Sequence, residues 1–214
     1  MSVVFITGTN KGVGLELARA YLQQGHRVLG TCRDVARAEA LRALGEAHPG
    51  RLSVHPMELT DETSMTALAA ALVGQPIDIF INNAGAAIGY STDASRNVFG
   101  ALDAELWMGM FKSNAIGPVL LAQQLYPNIL MGTGKKMVFI TSKPASIAEN
   151  TGGAMYMNRT SRTALNQAIK SMSIDLKADG VAVASISPGW VKTDSGGTGA
   201  LITAETSARG IVDV

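Results

Sequence analysis

Apolar positions along this chain fall into short continuous runs, separated by longer stretches with helical spacing. Val3, Val4, Phe5 and Ile6 form the first run, short enough for a buried strand. After a polar, glycine-rich stretch, Leu15, Leu17, Ala18, Tyr21 and Leu22 recur at helical spacing up to Gly25, a C-terminal stop. His26–Cys32 then reads as a second strand, Val35–Ala47 as a second helix and Arg51–His55 as a third strand. Thr60 or Asp61 caps a helix carrying Met65, Leu68, Ala69 and Leu72. Ile77–Ile81 is apolar almost throughout, as expected of a strand covered on both faces. A loop from Asn82 to Asp103 follows, long for a compact domain, and long loops often carry function. A long helix is predicted over Ala104–Met131, with a kink near Pro118. Lys136–Thr141 is the fifth strand, Tyr156–Asp179 a helix and Val181–Ile186 the sixth strand. This alternation predicts an α/β fold: a single domain over residues 1–214, with a doubly wound parallel sheet. Gly8, Asn82, Ser142 and Pro188 each follow a strand, so the loops of interest converge on the carboxyl edge where such sheets bind ligands.

Composition narrows the class. The 214 residues are 47% hydrophobic and 16% charged, which argues for a well-buried globular domain rather than a disordered one. The net charge of +1 points to neither nucleic acid nor an anionic membrane surface as partner. No apolar run reaches the roughly 18 residues that a membrane span needs. The one cysteine, Cys32, has no internal disulfide partner, and the first strand begins without a basic or cleavable leader. A cytoplasmic location is therefore expected.

The candidate chemistry starts at Thr7-Gly8-Thr9-Asn10-Lys11-Gly12-Val13-Gly14, between the first strand and the first helix. Alone, this is a tight turn. In that setting its glycines let backbone N–H groups approach a pyrophosphate, whose charge the helix N-terminus favours. A carboxylate ending the second strand would hold the ribose 2′-OH of NAD. Here that strand ends Thr31-Cys32-Arg33, with no acid until Asp34. Arg33 and Lys11 instead suit a 2′-phosphate, a charged contact worth roughly 1.5–3 kcal/mol. Either cation alone reads as a solvated surface group, but together they favour NADP(H) over NAD(H). Glu58 has two readings, an acceptor for the adenine amino group or an exposed acid before a helix cap.

The glycine turn followed by Asn82-Asn83-Ala84-Gly85 resembles the single-domain short-chain dehydrogenase/reductase family. Ile186–Asp194 (ISPGWVKTD) is similar to that family's Pro-Gly turn, and Thr141–Gly153 to its C-factor-like, carbonyl-reductase-like branch. The resemblance spans essentially the whole chain. It implies a Rossmann-type fold with a seven-stranded sheet, a nicotinamide cofactor, and a homodimer or homotetramer packed through the two long helices. It implies that Gly8, Gly12 and Gly14 contact the pyrophosphate, that Asn82 and Ala84 flank the adenosine ribose, and that Pro188, Gly189 and Thr193 orient the carboxamide. Asn10, Lys11, Val13, Arg33, Glu58, Leu59, Gly85, Arg162 and Val191 complete the expected cofactor-binding set. The family continues past Ala208-Arg209-Gly210 into one more strand, whereas this chain ends at Val214. Either the sheet lacks its last edge strand or residues are absent.

The active site departs from the family. Its mechanism uses a Tyr as proton donor, a Lys four residues later, a Ser that orients the carbonyl and an Asn that carries a water relay. Ser142 and Asn114 match the last two. Aligning Ser161-Arg162-Thr163-Ala164-Leu165 on the family's Ser-Lys-x-Ala-Leu places Arg162 at the lysine and Asn158 at the tyrosine. Arg162 keeps the charge and can donate to ribose hydroxyls. Asn158 has no usable acidic proton, and losing a positioned general acid costs about 10²–10⁴ in rate. Tyr156 is the available substitute. It lies about 200° from Asn158 on a regular helix, but placed ahead of the helix it would swing in.

Three functions stand. One is an NADP(H)-dependent oxidoreductase acting on a small-molecule carbonyl or alcohol with an atypical site. Another is a nucleotide-binding protein without turnover, a redox sensor or partner subunit. The third is a lyase or isomerase using Asn158 as an oxyanion donor. The Asn82–Asp103 and Asp194–Ser207 loops, around Ile88, Tyr90, Phe99, Trp107, Trp190 and Leu201, suggest a pocket for an apolar or aromatic substrate, and equally read as loops packed on their own domain.

Overall fold

The computed structural model describes residues 1–87, 94–197 and 199–214. Strands β1 (Val3–Ile6), β2 (Arg27–Cys32), β3 (Leu52–Pro56), β4 (Ile79–Asn82), β5 (Lys136–Ile140) and β6 (Ala182–Ile186) form one sheet, all neighbours parallel, in the order β3-β2-β1-β4-β5-β6. Helices α1 (Gly12–Gln23), α2 (Glu39–Ala47) and α8 (Ala204–Val212) serve one face. The other face carries α3 (Glu62–Ala71), the segment α4 (Ala104–Phe111), α5 (Gly117–Gln124) and α6 (Tyr126–Met131), and α7 (Tyr156–Asp175). Among the described residues no helix is long and apolar enough to cross a membrane.

Phe5, Phe80 and Phe139, on adjacent strands β1, β4 and β5, are fully buried on the α3/α5/α7 face. Their ring centroids lie 5.5 and 5.7 Å apart. Each such side chain contributes about 1.5–3 kcal/mol by leaving water. This row ties the middle of the sheet together where the strand order reverses, between β1 and β4.

Several boundaries differ from the pattern-based reading. The second helix begins at Glu39 rather than Val35, because the Asp34 carboxylate accepts the Arg37 N–H at 3.2 Å and holds a turn there. Asp61, not Thr60, caps α3, accepting from Thr63 N at 2.9 Å. The predicted helix over 104–131 is interrupted twice. Pro118 has no N–H to continue the ladder, and just before it residues Lys112–Ile116 form a π turn in which Gly117 N reaches the Lys112 carbonyl. A second break at Leu125 precedes Pro127. The Asp194–Ser207 segment is not a loop throughout, since Thr203 accepts from Thr206 N at 3.1 Å and starts α8. The described sheet has six strands, with β6 at its edge.

Candidate active site

The cleft lies where β1 and β4 meet. Thr7, just past β1, is fully buried. Its Oγ1 accepts from Asn83 N at 3.0 Å and Ala84 N at 2.8 Å, and donates to Asn82 Oδ1 at 3.4 Å. Asn83 answers with Nδ2, donating to the carbonyls of Thr7 at 3.0 Å and Gly8 at 3.2 Å. Asn82 Nδ2 donates to the Ala84 carbonyl at 3.2 Å. The two motifs are thus one clamp. Gly14 completes it: a Cβ there would lie 2.1 Å from the Gly8 carbonyl oxygen, so only glycine lets α1 approach so closely. Lys11, at the N-cap of α1, is extended and offers no side-chain cap. The first N–H groups of that helix therefore remain for an anion. The turn fits a dinucleotide pyrophosphate by its donor set and its missing side chains. Sequence reasoning passed over Thr7 and Asn83, although both sit inside the quoted motifs. Hydrogen bonds between motifs leave no periodic trace.

At the nucleotide-selecting end, Arg33 is exposed and stands 3.9 Å from the Glu58 carboxylate. The other Glu58 oxygen accepts from Thr60 N and Oγ1 at 3.2 and 3.0 Å. Asp34, the next residue in sequence, is paired with Arg37 at 3.3 Å and not with Arg33. Lys11 pairs with Asp194 at 2.5 Å, joining the glycine turn to the loop after β6. Both partners are well exposed, so water screens the pair and it holds the two segments together only weakly. Leu59 is buried in the core, and Val13, partly buried, packs against the core cluster beneath α1 and α8. Asn10 is exposed.

At the other end, Asn114 sits buried in the π turn. Its Oδ1 accepts from Ala86 N at 2.8 Å, and its Nδ2 donates to the Ala86 carbonyl at 3.0 Å and to Ser161 Oγ at 3.1 Å. Both amide hydrogens are spent holding the loop after β4 against α7. Gly85 lies between Asn114 and Arg162, since a Cβ on it would sit 2.9 Å from Asn114 Oδ1 and 3.4 Å from Arg162 Nη2. Ser142, two residues past β5, opens a 3₁₀ turn, and its hydroxyl has no partner among the described residues.

The first turns of α7 carry Tyr156, Asn158 and Arg162. Asn158 is buried, and its Oδ1 accepts from Asn97 Nδ2 at 2.8 Å. Asn97 Oδ1 accepts from Met157 N at 2.8 Å. The side chain in the tyrosine's place is therefore engaged with the turn at Ala94–Asn97. Tyr156 is the first residue of α7 rather than lying ahead of it, and its ring centroid is 6.3 Å from that of Phe99. Arg162 follows Asn158 by one helical turn. Its Nη1 and Nη2 donate weakly, at 3.4 Å, to the carbonyls of Ile140 and Ala86. Burial alone lowers its pKa.

The loop after β6 is held by its own bonds. Ser207 Oγ donates to the Pro188 carbonyl at 2.7 Å, and Val191 is buried and bridged to Ile202. Gly189 has a φ of 80°, and Thr193 Oγ1 accepts from Gly196 N at 3.2 Å. Of the apolar pocket expected, Phe99 and Leu201 are exposed and Trp190 partly so. Trp107 is turned to α7, with its Nε1 donating to Thr160 Oγ1 at 2.8 Å. Ile88 and Tyr90 lie outside the described residues.

Residues 2–199 match the family model described as short chain dehydrogenase. The chain belongs to the short-chain dehydrogenase family. It is 35% identical over 150 residues to the C-signal protein of Myxococcus xanthus, covering 70% of this chain and 87% of that one. The carbonyl reductase Sniffer of D. melanogaster superposes with a TM-score of 0.91 at 31% identity, over 100% of this chain and 90% of that one. The NADPH-bound carbonyl reductase from chicken fatty liver superposes with a TM-score of 0.89 at 29% identity, over 99% and 86%. These relatives place this short-chain dehydrogenase in the single-domain, carbonyl-reductase-like branch.

Proposed function

We propose that this short-chain dehydrogenase is an NADP(H)-dependent oxidoreductase for a carbonyl or alcohol substrate, working with an atypical site. One observation carries the reading. The unpartnered Ser142 hydroxyl follows β5, and the Arg162 cation on α7 reaches the carbonyls of Ile140 and Ala86, at the same carboxyl edge of the sheet as the glycine turn. The NADPH-bound relative supports the choice of cofactor. When bound, the cofactor supplies or accepts a hydride.

The chain's own residues do the rest. The first turn of α1 would hold the pyrophosphate, and Arg33 and Lys11 would meet the 2′-phosphate once Lys11 leaves its exposed pair with Asp194. Ser142 Oγ donates to the substrate carbonyl oxygen and orients it. Arg162 steadies the negative charge that develops on that oxygen. Asn158 supplies no proton, being an amide already bonded to Asn97. Tyr156 stands with Phe99. Water beside Ser142 therefore protonates the oxygen, and turnover is slow. The exposed Leu106, Met108, Ile116 and Ile174, on α4, the π turn and α7, support assembly into a homodimer or homotetramer through these helices. The buried single thiol of Cys32 suits a reducing cytoplasm.

The test is to restore the missing acid. Asn158→Tyr with Arg162→Lys is expected to raise kcat on generic aldehydes and ketones by about 10²–10⁴. No gain in a folded variant that still binds NADPH would argue against a redox site. It would favour the binding-protein reading, which the Asn97–Asn158 bond independently supports.

A further inference from the structure

Arg162 is a cation without an anion. Two of its five N–H donors are spent, weakly, on the carbonyls of Ile140 and Ala86 at 3.4 Å. The other three have no partner among the described residues. No carboxylate pairs with it, although seven other ion pairs are present among the described residues. Only part of the side chain reaches solvent, and burial disfavours its charged form. A buried charge is costly until a counter-charge meets it. Asn114 Oδ1, which flanks Gly85 together with Arg162 Nη2, is neutral and already accepts from Ala86 N. A cofactor ribose could accept from one of the free donors, but its hydroxyls carry no charge, and the cofactor's anionic groups belong to the glycine turn and to Arg33, at the other end of the cleft.

We propose that Arg162 anchors the substrate itself, through a carboxylate, so that this enzyme takes an oxo acid or the corresponding hydroxy acid. The proposal rests on the oxidoreductase reading of the cleft and names its substrate class. A planar guanidinium with adjacent free N–H groups matches the two oxygens of a carboxylate, which a lysine ammonium does not. Arg162 Nη1 bonds the carbonyl of Ile140, two residues before Ser142. A carboxylate held there brings a neighbouring carbonyl group within reach of the Ser142 hydroxyl. The substitution that weakens the family's proton chemistry thereby gains a binding role.

The probes are oxamate and its neutral counterpart oxamide, titrated into the protein–NADPH complex and read by quenching of NADPH fluorescence. Oxamate is expected to bind at least tenfold more tightly than oxamide. Arg162→Met is expected to abolish the difference, and Arg162→Lys to retain part of it. Equal binding of the two probes, displacement of NADPH by oxamate, or an oxamate preference that survives Arg162→Met would each overturn the proposal. If NADPH does not bind at all, the oxidoreductase reading fails by itself. The anchor is then tested alone, by the oxamate-induced rise in Tm of the free protein. A rise lost in Arg162→Met upholds the anchor, and no rise overturns it.

Discussion

Replacing Thr7 with valine removes one hydroxyl and nearly preserves shape, so its effect reads the clamp between the two motifs directly. Thr7 Oγ1 accepts the backbone N–H groups of Asn83 and Ala84 at 3.0 and 2.8 Å. Valine leaves both donors without a partner. A stranded buried donor costs about 1–3 kcal/mol. Asn83 and Ala84 are only half-buried, so water recovers part of this. The long bond to Asn82 Oδ1, at 3.4 Å, adds little. We therefore expect Thr7→Val to lose about 2–3 kcal/mol, close to 1 M in the urea midpoint for an m-value of about 2–3 kcal/mol/M. Thr7→Ser keeps the acceptor and is expected to stay within about 1 kcal/mol of the parent. Both variants are compared by urea titration with fluorescence and circular dichroism, and by NADPH affinity. The reasoning is refuted if Thr7→Val unfolds within about 0.5 kcal/mol of the parent, or if Thr7→Ser is as damaging as valine.

Three further outcomes follow from single residues. Burial pushes the Asp78 carboxyl up, but hydrogen bonds from Val3 N, Thr133 N, Gly134 N and Thr133 Oγ1 outweigh it and hold the pKa below its ordinary 3.8. With the folded pKa depressed, its stabilisation is full well above pH 3.8 and fades as pH falls through that value and lower. Asp78→Asn should thus cost about 2–3 kcal/mol at pH 7 and flatten the acid limb of stability against pH, and an unchanged limb would contradict this. Arg33→Asp should shift the ratio of NADPH to NADH affinity toward NADH by about 10–100-fold, from a charged contact worth roughly 1.5–3 kcal/mol; a parent that binds NADH as well as NADPH would remove the basis for it. Tyr156→Phe should change kcat by less than about threefold, where loss of a positioned acid would cost about 10²–10⁴.

The fold was legible because its signals are local and repeated. Apolar runs such as Val3–Ile6 and Ile79–Ile81, set between helical spacings, specify a parallel sheet whichever partner each strand finds. The glycine turn was legible because only glycines allow Gly14 to meet the Gly8 carbonyl. Less was readable where the decisive contact joins distant residues. Nothing in the spacing of Asn97 and Asn158 announces a bond across 61 positions, and nothing near Arg162 in sequence tells that no acid will face it. The π turn was half visible, since Pro118 marks a break but not its kind. The missing Tyr-x-x-x-Lys was plain from the sequence alone. What the structure adds is that Asn158 is already engaged and that Tyr156 starts the helix rather than preceding it.

The central claim is that this cleft carries out hydride chemistry with NADP(H), and it is tested most directly by single-turnover oxidation of bound NADPH. The protein is loaded with NADPH, binding is confirmed by fluorescence against NADH, and a panel of aldehydes, ketones and oxo acids is mixed in while the nicotinamide signal is followed. The account predicts preferential NADPH binding, and slow oxidation that is fastest with an oxo acid and abolished with Ser142→Ala. NADPH that binds and stays reduced with every member of the panel, or a protein that binds no NADPH, would contradict it.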